Sequence, residues 1–199
     1  MEVKLLKSYS ELADMEYIAT EAALTCHGNA DKLDEKDFKQ VLTNIIKLGH
    51  ESILEHITLS FRVQDISRAL LQELSRHRHI SLSVESTRHT LKKKMQDKKW
   101  IENFLTSLDY QKSVAFQAFI GIYEALQDRP EDEIKYFIPE FFPTRLILTV
   151  NARELRHILK LRTHPSALME FRELGVALFE AIPDDFKYLF EDCVYKDEK

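Results

Sequence analysis

The stretch from Ile57 to Arg88 reads I-T-L-S-F-R-V-Q-D-I-S-R-A-L-L-Q-E-L-S-R-H-R-H-I-S-L-S-V-E-S-T-R. Its first third alternates Ile57, Leu59, Phe61 and Val63 with Thr58, Ser60, Arg62 and Gln64, the period-two pattern of a strand with one buried face. Its middle spaces Ile66, Leu70, Leu71 and Leu74 as one face of a helix, and Asp65 stands where a helix cap is expected. Its last third alternates again, with Ile80, Leu82 and Val84 against Ser81, Ser83 and Glu85. Strand, helix, strand within thirty-two residues predicts a mixed architecture. Arg76, His77 and Arg78 sit where the helix hands over to the second strand, and Ser86, Thr87 and Arg88 sit where that strand ends. Both junctions gather donors suited to phosphate.

Working outward, Met1–Tyr9 reads as a first strand, and Glu11–Cys26 and Lys36–Leu48 as helices, the second stopped by Gly49. The connector His50-Glu51-Ser52-Ile53-Leu54-Glu55-His56 is dense in polar groups. Beyond Arg88, the pattern predicts a long helix over Leu105–Gln127, a short one over Glu131–Phe137 and a strand over Arg145–Val150. Asn151 and Glu154 resemble a capping box at the start of another helix. In it Leu155, Ile158, Leu159 and Arg162 fall at i, i+3, i+4 and i+7, so Arg162 extends the buried face. A guanidinium there needs a partner, because an unpaired buried charge is expensive. A last helix, Ser166–Ala181, precedes an aromatic piece, Phe186–Phe190. No repeat, linker or low-complexity segment appears, and residues 1–199 are expected to form one α+β domain with few strands and several helices.

The chain has 199 residues, 44% hydrophobic and 31% charged, an ordinary globular balance. No run is long and apolar enough for a membrane span, no secretion signal is evident, and two cysteines do not make a disulfide framework. A reduced, cytoplasmic setting is the expectation. Residues 76–99 carry eight basic residues against Glu85 and Asp97, a net of +6, leaving −11 for the rest of a chain whose total is −5. That basic island favours a small anionic ligand over a nucleic acid, although Lys92–Lys99 reads equally well as a solvated loop. Four glycines permit neither a dinucleotide fingerprint nor a phosphate loop, so a nucleotide must be held by side chains and helix ends.

The histidines do not form a metal motif. His50 and His56 are six apart, H-E-x-x-H is absent, and His77 and His79 have only Glu55 or Glu85 as possible carboxylate partners, so no metal is expected. Neither Cys26 nor Cys193 stands in a nucleophile arrangement. Arg76, Arg78, Arg88, Arg153 and Arg162 lie near strand–helix junctions with Ser86, Thr87 and Asn151, which points to phosphorylated ligands. The residues alone do not yield a reaction.

The spacing Arg76-His77-Arg78, seven residues, Ser86 matches the R-H-R-x7-S signature of flavin-dependent thymidylate synthases. Gly49-His50-Glu51-Ser52 with Glu55-His56 resembles the family's G-H-x-S-x-x-E-H, and Asn151-Ala152-Arg153 with Leu161-Arg162 resembles its C-terminal helix. The resemblance runs the length of the chain. It implies an α+β fold with a small, mainly antiparallel sheet, assembled as a homotetramer with active sites where subunits meet. It implies conversion of dUMP to dTMP, with 5,10-methylenetetrahydrofolate as carbon donor, FAD as cofactor, NADPH as reductant and no cysteine nucleophile. Carried over by position, His50, Ser52, Arg76, His77, Arg78, His79, Asn151, Arg153 and His157 belong to the flavin site. Gln72 or Glu73, Arg76, Glu85, Ser86, Thr87, Arg88 and Lys135 belong to the dUMP site. Arg162 matches the arginine facing the uracil ring, where a fixed cation stabilises negative charge on the pyrimidine. Lys135 replaces an arginine, which keeps the charge and loses the bidentate fork. His79, His89 and His157 also depart from the usual residues. The alternatives from other classes are a non-catalytic nucleotide- or RNA-binding module and a metal-dependent nucleotide hydrolase.

Overall fold

The computed structural model describes residues 1–196. Four strands, β1 (Glu2–Leu5), β2 (Thr58–Ser67), β3 (Ile80–Val84) and β4 (Pro143–Asn151), form an antiparallel sheet in the order β1-β2-β4-β3. The two long strands are central. Phe61 opposes Leu148, and Leu82 opposes the same Leu148 from the other side. Because side chains alternate across a strand, this register puts Leu59, Phe61 and Val63 with Leu146, Leu148 and Val150 on the buried face. β3 lies at the edge, and its Val84 is already exposed.

Helices α1 (Tyr9–Cys26) and α2 (Phe38–Lys47) precede a 3₁₀ turn over Glu51–His56, which is the polar connector. Gly49, at φ 73°, ends α2 in the left-handed conformation that only glycine adopts cheaply. Helix α3 (Arg68–Ser75) follows β2. Asp65 does not cap it, contrary to the pattern. β2 runs on to Ser67 through an irregularity between Val63 and Ile66, where Asp65 takes φ 57°. Ser67 is the cap, its Oγ accepting from the Leu70 N–H at 3.0 Å.

The lysine-rich stretch is helical. α4 (Thr87–Gln96) buries Leu91 and Met95 four residues apart, and α5 (Lys98–Ser107) follows at once. The long helix expected over Leu105–Gln127 is therefore two, α5 and α6 (Tyr110–Leu126), each started by an aspartate. Asp97 accepts from the Trp100 N–H and Asp109 from the Lys112 N–H. Helix α7 (Glu131–Ile134) leads into β4. These helices share an aromatic cluster of Trp100, Phe104, Phe116, Phe119 and Phe142.

The larger core joins the sheet to α1, α2 and the 3₁₀ turn and to α8 (Ala152–Arg162), α9 (Met169–Glu180) and α10 (Asp184–Lys187). Leu155, Ile158 and Leu159 of α8 are fully buried, each contributing roughly 1.5–3 kcal/mol. Gly175 allows α9 to close on the end of α8: a Cβ there would come within 2.8 Å of Thr163 Cγ2. That approach sets Phe171 beneath the last turn of α8.

Candidate active site

The site grows from two helix ends. At the C-terminus of α3, Arg76 caps the helix and His77 turns inward to 7% exposure, its N–H donating to the Leu74 carbonyl. At the N-terminus of α8, Asn151 Oδ1 accepts from the Glu154 N–H at 2.8 Å. The expected capping box is only half formed. The Glu154 carboxylate does not return to the cap; it meets His77 Nδ1 at 2.9 Å.

On its other side His77 Nε2 accepts from Arg162 Nε–H at 3.2 Å. An arginine only donates, so Nε2 holds the lone pair and Nδ1 carries the proton that goes to Glu154. The edges of His157 and Phe171 close on the ring, with centroids at 5.8 and 6.0 Å. Burial pushes the pKa of His77 down, the Glu154 hydrogen bond works against this, and the Arg162 charge adds to the depression.

Arg162 is half-buried, its guanidinium 4.6 Å above the Phe171 ring. Nη1 reaches Glu73 at 3.4 Å, and Glu73 also meets Arg76 at 3.5 Å. Of the two candidates one turn before Arg-His-Arg, Glu73 therefore stands with the arginines. Gln72 donates to Glu140 at 2.9 Å.

A cavity of about 450 Å³ opens beside this cluster, lined by Glu51, Glu55, His79, Asn151, Arg153, Glu154 and His157. Arg153 pairs with Glu55 at 2.5 Å. Four of the residues expected at the flavin share this wall, whereas His50 and Ser52 are exposed outside it and Arg78 is exposed beyond the helix end. His77, Glu154 and His157 also offer ligand atoms within 4.8 Å of one another, a grouping absent from the sequence reading. The bonded tautomer argues against a metal there. An ion on Nδ1 would displace the proton to Nε2 and set it against the Arg162 N–H.

The second group of expected residues lies at the other end of β3, whose five residues span about 13 Å. Ser86 takes the N-cap position of α4 with no side-chain bond to the helix, leaving its hydroxyl available beside the helix N-terminus. Arg88 and Lys135 converge on one carboxylate, Asp132, at 2.9 and 3.2 Å. Glu85 is differently committed than expected. Its carboxylate, almost enclosed, is held by Lys94 at 2.7 Å and Arg145 at 3.4 Å.

Sequence reasoning missed Arg156, the most buried charge near the site. At 1% exposure it binds Asp192 through both terminal nitrogens at 2.6 Å, Glu51 at 3.1 Å and the Leu189 carbonyl. It fastens the 3₁₀ connector and the C-terminal segment to α8. No local signal marks it, since Asp192 is thirty-six residues away. Asp132, which organises Arg88 and Lys135, was missed for the same reason. Neither cysteine joins the cluster: Cys26 ends α1 in solvent, and burial pushes the Cys193 thiol up to about 12. Among the described residues, no helix is long and apolar enough to cross a membrane.

The family described as "Thymidylate synthase complementing protein" matches residues 6–185. The flavin-dependent thymidylate synthase of Campylobacter jejuni is 39% identical over 194 residues, covering 90% of this chain and 93% of that one. That of Helicobacter pylori is 35% identical over 196 residues, covering 89% and 93%. A crystal structure of the Helicobacter pylori enzyme complexed with FAD and dUMP superposes with a TM-score of 0.83 at 32% identity, covering 98% of this chain and all of that one. Agreement of this extent in both sequence and fold has one meaning: the chain belongs to the flavin-dependent thymidylate synthase family.

Proposed function

We propose that this protein, a single domain over residues 1–199, converts dUMP to dTMP by reductive methylation. The observation that carries the reading is Arg162: a half-buried cation on an otherwise apolar stripe, held loosely by Glu73 and His77 and stacked on Phe171. A structural arginine so placed would be saturated. This one keeps donor capacity for a ligand, and a fixed cation against the uracil N3 and carbonyls stabilises the negative charge that makes C5 nucleophilic. Cys193 is buried with its thiol pushed up, and Cys26 lies in solvent at the end of α1, which supports a reaction that uses no cysteine nucleophile.

Arg153, His79, His157 and the N-terminus of α8 are the cavity's groups for an anionic flavin, which would take Arg153 from Glu55 in a lining that also holds Glu51 and Glu154; Arg76, His77 and Arg78 follow α3 just before His79. Exposed His50 and Ser52 would complete that site from the connector. FAD, reduced by NADPH, supplies the hydride when bound, and 5,10-methylenetetrahydrofolate supplies the carbon. Glu73 and Arg76 hold the uracil end of dUMP beside Arg162. Ser86, Thr87, Arg88 and Lys135 hold its phosphate, displacing Asp132 from the two cations. The two halves lie at opposite ends of β3 within one chain, which supports sites completed between copies in a homotetramer. Exposed Tyr110, Tyr136 and Met169 are apolar surface of the kind subunit contacts cover. The RNA-binding alternative loses one of the cations it would draw on, because Lys94 of α4 is committed to Glu85.

The absorption spectrum of the purified protein, followed by a dUMP titration, tests the reading. A bound-flavin spectrum perturbed by dUMP is expected. A colourless protein that takes up no added FAD would overturn it.

A further inference from the structure

We propose that Glu154 is a positioning residue that acts on dUMP through two others: it fixes the tautomer of His77, and His77 in that tautomer orients Arg162. The inference rests on the dUMP chemistry proposed above and goes beyond it, since Glu154 touches neither the reacting ring nor its phosphate in that reading.

The Glu154 carboxylate has no helical duty. Asn151 already caps α8, and Glu154 makes no bond back to the cap. Its side chain is only 12% exposed, and enclosing a carboxylate is costly unless it is hydrogen-bonded. Its hydrogen-bond partner is His77 Nδ1, at 2.9 Å. With that proton committed to Glu154, the Nε2 lone pair points at the Arg162 Nε–H, 3.2 Å away. The opposite tautomer would set two N–H groups against each other and leave a nearly enclosed carboxylate facing a lone pair. His157 and Phe171 restrict the ring from the sides, so rotation offers no easy relief. Arg162 is thereby held at Nε by His77, at Nη1 by Glu73 and beneath by Phe171, and Nη2 remains for an acceptor.

The charged and titratable groups around His77 are Glu154, His157 and Arg162 from α8 and Glu73, which faces it from α3 through Arg162; Arg76 and Arg78 flank it in sequence. α9 contributes the uncharged Phe171. Protonating His77 would turn Nε2 into a donor aimed at Arg162 and release the guanidinium. Burial and the Arg162 charge oppose that protonation, and Glu154 favours it. A neutral amide at position 154 should therefore shift His77 protonation to lower pH while its carbonyl still accepts from Nδ1–H.

The test compares wild type with Glu154→Ala and Glu154→Gln as flavin-loaded protein, with kcat, KM for dUMP, flavin content and the pH profile of kcat/KM. Glu154→Ala should keep its flavin and lose on the order of 10–100-fold in kcat, the scale expected for a misdirected catalytic group. Glu154→Gln should keep most of the rate, with its acid limb displaced to lower pH. Nitrogen-15 NMR of histidine-labelled protein, assigned with His77→Gln, reads the tautomer without turnover. Wild-type His77 should be neutral and protonated on Nδ1, and Glu154→Ala should give mixed tautomers. An unchanged kcat in Glu154→Ala, an unmoved acid limb in Glu154→Gln, or a wild-type His77 protonated on Nε2 would each overturn the proposal. If wild type shows the Nδ1–H tautomer but no dUMP-dependent turnover, the proposed reaction fails and the claimed action on dUMP falls with it, leaving only the hydrogen-bonded chain. If Glu154→Ala does not fold, Glu154→Gln and the NMR of wild type decide.

Discussion

The middle and the end of α8 treat an arginine in opposite ways. In its middle, Arg156 is shut away and bound by two carboxylates and a carbonyl; at its last residue, Arg162 is half open, with longer contacts to Glu73 and His77 and an aromatic ring beneath it. A fully desolvated guanidinium must be paired on every side, and such a group serves the fold. A cation with spare donors beside a cavity is poised for a ligand. One helix thus anchors the connector and the C-terminal segment from its middle and presents an incompletely paired cation at its end.

The largest effect is expected at Arg156. Arg156→Ala strands Asp192 and Glu51 and empties a packed space, and should cost about 3 kcal/mol in urea unfolding. Arg162→Ala, with neighbours that solvent can reach, should cost much less; equal losses would erase the distinction. At the phosphate end, Arg88→Ala removes charge-assisted bonds worth about 1.5–3 kcal/mol. The dUMP affinity measured by flavin perturbation should fall on the order of tenfold to a hundredfold, with flavin content retained. The smallest effect is expected at Asp132. Asp132→Asn frees Arg88 and Lys135 from the carboxylate that now holds them, so dUMP should bind a few-fold more tightly, by roughly 1 kcal/mol or less. Weaker binding would mean that Asp132 positions the cations rather than competing for them.

Much of this was legible in sequence because it follows from periodicity. The strands of the Ile57–Arg88 segment are where alternation puts them, and Arg162 stood out as a charge on an apolar stripe. α4 was less visible because only Leu91 and Met95 mark its buried face among lysines. Asp65 misled because aspartate favours helix caps, yet here an irregular strand runs two residues further to Ser67. Glu154 was visible as a cap residue but not as the partner of His77. The chain reads out spacing along one element, whereas Arg156 with Asp192, or Arg88 with Lys135 through Asp132, is decided by tertiary approach.

The most direct test of the central claim, that Arg162 serves the substrate rather than the fold or the flavin, is a single-turnover experiment on Arg162→Ala. The reduced holoenzyme is mixed anaerobically with dUMP and methylenetetrahydrofolate, and flavin absorbance and dTMP are followed together. The account predicts a folded, yellow variant whose flavin reoxidises at least about a hundredfold more slowly than wild type, the scale of losing one preorganised electrostatic donor. A variant that reoxidises at the wild-type rate, or that has simply lost its flavin, would contradict it.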